Sequence, residues 1–88
     1  MIDREQKLRL GDARKLSQMM QGESVPSSGL SKQMAEELLS EDLIWQQVYG
    51  SRRKFKLRDA NALSIYLAQR YGIQVSLDEW IKVMESGE

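Results

Sequence analysis

The chain has 88 residues, of which 41% are hydrophobic and 30% are charged, and 13 basic residues balance 13 acidic ones. This length favours one domain with a modest core, and the absence of cysteine and histidine excludes disulfide bonds, thiolate metal sites and histidine-based catalysis. Because the first residues contain no continuous apolar run, we expect no signal peptide, no membrane-spanning segment and a cytoplasmic location.

The amino-terminal part of the chain predicts one clear helix. The first ten residues are ambiguous between a short helix that begins at Asp3 and a strand over residues 7–10. Asp12 is the expected N-cap of a helix over residues 13–21, and Gly22 is expected just beyond its last turn. The apolar stripe of this helix consists of Ala13, Leu16 and Met20.

A loop and a second helix are predicted next. Residues 22–29 contain glycine, serine and the only proline, which is typical of a loop or a short extended link. The helix begins at Leu30 or Ser31 and ends at Ser40, and residues 40–42 form a turn. The residues predicted to face inward are Met34, Ala35, Leu38 and Leu39. Those predicted to face outward are Lys32, Gln33, Glu36 and Glu37.

Residues 43–58 predict a β-hairpin. Gly50 precedes Ser51 at the position where a type II′ turn needs a positive φ, and this two-residue turn sets Tyr49 opposite Arg52 and Ile44 opposite Leu57. Because side chains alternate between the two faces of a strand, each face has its own composition. The predicted core face carries Ile44, Val48, Phe55 and Leu57. The other face carries Trp45, Tyr49, Arg52, Lys54, Lys56 and Arg58.

Two helices are expected after the hairpin. Asp59 can cap a helix over residues 60–71, which Gly72 ends. The sequence from Ser76 to Glu79 is a capping box that opens an acidic helix over about residues 77–86. Its apolar residues are Trp80, Ile81, Val83 and Met84. The chain therefore predicts a single α+β domain over residues 1–88, small and mostly helical, with one two-stranded hairpin.

Charge is segregated along the chain although its net value is zero. Residues 52–58 contain five basic residues and no acidic one, whereas the last thirteen residues contain four acids and one lysine. A basic cluster beside aromatic residues is typical of a surface that binds nucleic acid. The same cluster is consistent with a solvated sheet face, in which Trp45 lies over the stem of Lys56 as a cation–π pair.

The segment from about residue 30 to residue 58 resembles the recognition helix and wing of winged helix-turn-helix proteins. The resemblance lies in the helix end and acidic turn over residues 38–44 and in the basic strand over residues 52–57. The family usually has glycine where this chain has Asp42, and two helices before the recognition helix where this sequence predicts one clear helix. The resemblance implies that Ser31, Lys32 and Gln33 lie near the major groove, and that Arg52, Arg53 and Lys54 contact phosphates or the minor groove.

We therefore predict a non-enzymatic DNA-binding module for transcription regulation, with duplex DNA as the favoured ligand and with no cofactor, metal or membrane partner. The predicted binding residues are Arg52, Arg53, Lys54, Lys56, Arg58, Trp45, Lys32, Gln33 and Ser31. No catalytic residue is predicted, because adjacent carboxylates such as Glu36 and Glu37, or Glu41 and Asp42, do not face each other on a helix.

An alternative from a different class is a protein–protein adaptor on the same winged-helix-like scaffold. Such an adaptor would bind an acidic partner through the hairpin, or an apolar groove through Trp80 and Ile81 on the last helix. The same helix could join two copies of the chain as a homodimer. The other role open to Trp80 and Ile81 is to dock on the core of their own domain, which a chain of this length needs.

Overall fold

Four helices and a three-stranded antiparallel sheet form the part of the protein that the computed structural model describes, residues 8–86. The helices are α1 (Leu10–Met20), α2 (Lys32–Ser40), α3 (Ala60–Tyr71) and α4 (Leu77–Ser86). The strands are β1 (Val25–Pro26), β2 (Ile44–Tyr49) and β3 (Arg52–Leu57), and a 3₁₀ turn (Ser27–Gly29) follows β1. The predicted α+β class is confirmed. None of the described helices is both long enough and apolar enough to cross a membrane.

The hairpin has the predicted turn and register. Gly50 has a φ of +63°, and Tyr49 pairs with Arg52 while Ile44 pairs with Leu57. Within the segment predicted as a loop or short extended link over residues 22–29, Val25–Pro26 is extended and forms a third strand, whose pairing with the outer side of β3 was not predicted. The strand order is therefore β1-β3-β2, with β3 in the middle of the sheet.

The helices pack on one face of this sheet. Val25, Ile44 and Phe55 are buried in the core, with Val25 paired directly with Phe55, and Leu57 is half-buried against the same core. Val48 was predicted to share this buried face, and that prediction is wrong because the side chain is 61% exposed. Alternation fixes the face on which a side chain lies, but the core ends before it reaches the tip of the hairpin.

Helix α1 begins three residues earlier than predicted, with Arg9 as its N-cap. Asp12 is therefore inside the first turn and does not cap α1. It is 5% exposed, and its carboxylate accepts hydrogen bonds from the backbone N–H and the hydroxyl of Ser31, each at 2.8 Å. The Ser31 hydroxyl in turn accepts from the N–H of Met34 and caps α2. Asp12 thus joins the start of α1 to the start of α2.

The apolar stripes of the first two helices differ from the predicted ones at single positions. Met19 is fully buried in α1, whereas Met20, the predicted member, is half-buried. In α2 the predicted inward residue Leu39 is exposed, while Leu38 is fully buried. In α1 the buried arc is wider than predicted and includes Met19, whereas in α2 it is narrower and leaves out Leu39.

The turn between α2 and β2 is held by two backbone hydrogen bonds and contains a residue with a positive φ. Asp42 has a φ of +61°, which is the left-handed conformation that glycine favours and that aspartate tolerates better than most residues. The N–H of Asp42 donates to the carbonyl of Leu39, and the N–H of Leu43 donates to the carbonyl of Leu38, each at 3.0 Å. These two bonds form a Schellman motif, so α2 runs directly into the hairpin.

The two carboxyl-terminal helices have the predicted caps. The Asp59 side chain accepts from the N–H of Asn61 at 3.0 Å, and the Ser76 hydroxyl accepts from the N–H of Glu79 at 3.2 Å. Helix α3 buries Leu63 and ends at Gly72, which has a φ of +70°.

Helix α4 docks on the rest of the domain. Trp80 and Ile81 are half-buried and pack against the core. Two side-chain contacts tie α4 to α1, where Arg14 binds Glu85 at 2.6 Å and the hydroxyl of Ser17 donates to Asp78. The predicted docking of this helix is therefore confirmed.

The ambiguous start of the chain lies mostly outside the described residues. Of the segment predicted as either helix or strand, only residues 8–10 are described. There Leu8 is buried in the core and Leu10 begins α1.

Replacement of Asp12 by alanine should lower the free energy of unfolding by about 1–3 kcal/mol, because the N–H of Ser31 loses its acceptor inside the protein. Replacement of Ser31 by alanine keeps that backbone bond and removes the cap of α2, so we expect a loss of about 1 kcal/mol. Urea unfolding followed by circular dichroism measures both values, with the exposed Glu36→Ala as the control. An Asp12→Ala protein as stable as the control would contradict this role of Asp12.

Candidate nucleic-acid interface

The face of the sheet opposite the core is open and basic. In β3 the alternation that buries Phe55 turns Arg52, Lys54 and Lys56 to the other side, where all three are exposed. We call this surface the basic sheet face. Its members are Trp45, Tyr49, Arg52, Lys54, Lys56 and Arg58, all of which are exposed.

Most charges of the basic sheet face have no acidic partner. Within residues 8–86, no carboxylate lies within 4.0 Å of the cationic groups of Arg52, Lys54 or Lys56. Arg58, at the base of the hairpin, is 3.9 Å from the carboxylate of Asp42, and both side chains are exposed. An exposed pair at this distance is weak, so it leaves Arg58 available to an anionic ligand.

Trp45 lies on the basic sheet face near the base of the hairpin, where it pairs with Lys56. Its ring is covered by the guanidinium of Arg58, 5.1 Å from the ring centroid, and its indole N–H donates to the carbonyl of Leu57 at 3.4 Å. The cation over the ring is thus Arg58, the diagonal neighbour, and not Lys56, which pairs directly with Trp45 across the strands. The indole remains 51% exposed, which leaves part of its surface open to a base or sugar.

A groove runs along the edge of the sheet beside the hairpin tip. It has a volume of about 480 Å³ and is lined by Pro26, Ser27 and Ser28 on one side and by Ser51, Arg52, Arg53 and Lys54 on the other. It exists because β1 pairs with β3 and places the 3₁₀ turn beside the basic strand. Arg53 has the opposite alternation to Arg52, yet both residues line this groove.

A second groove of about 610 Å³ continues from the first, since Pro26 and Ser28 line both. It adds two basic residues, Arg9 and Lys15, and it reaches Ser31. The sequence did not indicate Arg9 or Lys15, because each is an isolated charge near the start of α1. Among the described residues of α2, Lys32 and Gln33 are exposed but line neither groove.

Glu37, predicted to face outward, lies instead between α2 and α3. Its side chain is only 14% exposed. Its carboxylate accepts from the phenol of Tyr66 and from the phenol of Tyr71 at 2.9 and 3.0 Å, and Arg70 lies 3.4 Å away. Only Glu36 of the two neighbouring glutamates is therefore directed to solvent, so α2 carries less negative charge on its outer surface than the sequence predicts.

The tyrosines of this cluster hold their protons strongly. Burial is the main cause, and the hydrogen bond to the negative Glu37 carboxylate adds to it, because ionised phenols would repel that charge. Together these effects raise the pKa of Tyr71 from 10.0 to about 12 and raise the pKa of Tyr66 further.

We expect the phenols of Tyr66 and Tyr71 to ionise in the folded protein only well above pH 10. Between pH 10 and about 12 the native state binds more protons than the unfolded state, so stability is intact below pH 10 and falls as the pH rises through this window. Absorbance at 295 nm measures the ionisation. Replacement of Glu37 by glutamine should shift the transition to lower pH, while the exposed Glu36→Gln should not. Identical titrations for the two variants would contradict the assigned role of Glu37.

Comparison of the chain with protein-family models, with curated proteins and with solved structures gave no match.

Proposed function

We propose that this protein is a non-enzymatic module that binds nucleic acid, with duplex DNA as its ligand, through the basic sheet face. The observation that supports this best is the row of Arg52, Lys54 and Lys56, three exposed cations on one open face with no described carboxylate near them. Alternate residues of a strand are spaced so that this row spans about 14 Å. That length is comparable to the major groove of B-DNA, which is about 12 Å wide.

The proposed contacts divide by chemistry. Arg52, Arg53 and Lys54 neutralise phosphates at the tip of the hairpin, where the groove gathers them. Lys56 and Arg58 extend the contact toward the base, where the half-exposed ring of Trp45 packs on a sugar or base.

The start of α2 is the second region proposed to contact DNA. Lys32 and Gln33 are exposed there and are free to approach the major groove. Ser31 acts indirectly, because its hydroxyl is already bonded to Asp12 and to the N–H of Met34.

The winged-helix resemblance supports the same proposal. A helix, a short strand and a turn precede α2, and the 3₁₀ turn stands where that family has its second helix. Asp42 has a positive φ at the position where the family usually has glycine. On this basis we propose a winged-helix-like DNA-binding domain for transcription regulation. The absence of cysteine suits a reducing compartment, which agrees with a cytoplasmic location.

A protein–protein adaptor is the second candidate, and α4 favours it. Val83 and Met84 on the outer side of this helix are 62% and 51% exposed. Trp80 and Ile81, the residues first considered for such a contact, are half-buried against the core, so Val83 and Met84 would form the centre of the contact. An adaptor of this kind would retain its partner when the basic sheet face is neutralised.

Fluorescence anisotropy with a short labelled duplex, measured over a range of salt concentrations, tests the DNA proposal. Four to five phosphate contacts predict a slope of log affinity against log salt of roughly −4. The double variant Arg52→Gln, Lys54→Gln should reduce that slope to roughly −2, because each lost contact removes about 0.9.

The matched control is Lys82→Gln, since Lys82 is also exposed but lies on α4, away from the sheet. It should leave the slope unchanged. If the wild-type protein fails to bind duplex DNA at low salt, or if both variants weaken binding equally, the basic sheet face is not a DNA-binding surface.

A further inference from the structure

The strand β2 forms a free edge of the sheet. Within residues 8–86 it pairs only with β3, so its other side faces no strand. Its six residues, Ile44–Tyr49, include no charged residue and no proline. Trp45, Val48 and Tyr49 are each more than half exposed.

Edge strands of natural proteins are usually protected against pairing with another chain. Charged side chains, proline, a bulge or a covering loop are the common means, and an unprotected edge acts as a template for a new strand. Strand β2 has none of the first three, because its register with β3 is continuous from Ile44 to Tyr49. Its tryptophan, valine and tyrosine also favour the extended conformation. Gln46 and Val48 are also exposed, so the outer half of this edge can accept a partner strand.

The turn of the hairpin determines which backbone groups are available at this edge. A two-residue turn makes Tyr49 and Arg52 a hydrogen-bonded pair, and hydrogen-bonded pairs then recur at every second residue. The N–H of Arg58 donates to the carbonyl of Leu43 at 2.9 Å, so this pair at the base of the hairpin is hydrogen-bonded as the alternation requires. The N–H and C=O groups of Ile44, Gln46 and Val48 are therefore directed away from β3, and those of Gln46 and Val48 lie on either side of Gln47 at the free edge.

We propose that two copies of this protein pair through β2, antiparallel and about a two-fold axis at Gln47. The two sheets then form one six-stranded sheet in the order β1-β3-β2-β2-β3-β1. The backbone of Gln46 in each copy bonds to that of Val48 in the other, so the groups that are free in one copy satisfy one another in the dimer. This inference concerns assembly and does not depend on what the basic sheet face binds.

The composition of β2 indicates a second copy as the partner. An axis at Gln47 places Trp45 of one copy directly across from Tyr49 of the other, at non-hydrogen-bonded positions where side chains are closest. Two such aromatic pairs lie on either side of the axis. Because β2 is itself uncharged, no like charges lie directly opposite each other across the axis.

The dimer would also arrange the two basic sheet faces. Across this axis the odd-numbered residues of one copy lie opposite the odd-numbered residues of the other. Both basic sheet faces therefore lie on the same side of the joined sheet. The two β3 strands would be separated by three strand spacings, about 14 Å. A continuous surface with two rows of cations would result, separated by a neutral strip that contains Trp45 and Tyr49.

Sedimentation velocity over a wide range of protein concentration tests the assembly. The wild-type protein should show a reversible dimer. Gln46→Pro removes an N–H that the second copy needs, at an edge position where proline is tolerated, so the dimer should be lost. Gln46→Ala, the matched control, removes the same side chain but keeps the N–H and should dimerise as the wild type does. A wild-type protein that remains monomeric throughout, or a Gln46→Pro protein that dimerises equally well, would overturn the proposal.

A cysteine variant tests the register and does not rely on the folding of the proline variant. The natural chain has no cysteine, so any disulfide must come from the introduced residue. In the proposed dimer the two Gln47→Cys residues face each other with Cα atoms about 4.5 Å apart, which is within disulfide range. The two Gln46→Cys residues are diagonal neighbours about 7–8 Å apart and should not cross-link. Cross-linking at position 46 in place of position 47 would overturn the register.

Discussion

The pairing of β3 on both of its edges is the constraint on which the basic sheet face depends. Once β1 and β2 hold the backbone of β3, Phe55 can point only into the core, and the alternation of the strand turns Lys54 and Lys56 to the opposite side. A register slip of one residue would expose Phe55 and bury lysines beneath the helices. Burial of the Phe55 ring therefore also determines the face of the sheet on which the cations lie, so the packing of the core determines the composition of the basic sheet face.

The local signals of the sequence predicted local structure well. The glycine at position 50 fixed both the turn and the full register of the hairpin, and Asp59 marked the start of α3, because turns and caps depend on a few neighbouring residues. The strand Val25–Pro26 could not be predicted, since two residues have no periodicity and their partner Phe55 is remote in the sequence. The groove at the candidate site was missed for the same reason, because it exists only where this strand meets β3.

The two acidic residues with the most specific contacts were both assigned wrongly from the sequence. Asp12 was expected to cap its own helix and binds Ser31, 19 residues away, and Glu37 was expected in solvent and binds Tyr66, 29 residues away. An acid on a helix surface has the same local pattern whether it meets water or a remote hydroxyl, so only tertiary structure distinguishes the two. Both contacts orient α2, one at its start and one near its end. A hydrogen bond fixes the relative direction of the two groups that it joins, whereas an apolar contact does not.

The hairpin is rooted in the core at its base, and β1 supports its second strand, β3, as far as Lys54. At its base, Leu43 donates to the carbonyl of Leu38 and accepts from the N–H of Arg58, so both strands are rooted in the turn that ends α2. Toward the tip, Val48 and Tyr49 extend beyond the core. In mechanical terms the hairpin is a beam supported along one side, and its free end is only the turn and the few residues beside it, which pair with no strand outside the hairpin among the described residues. Bending of that end would let the cations near the tip follow the curvature of a ligand, while the rooted strands and the helices beneath them keep their geometry.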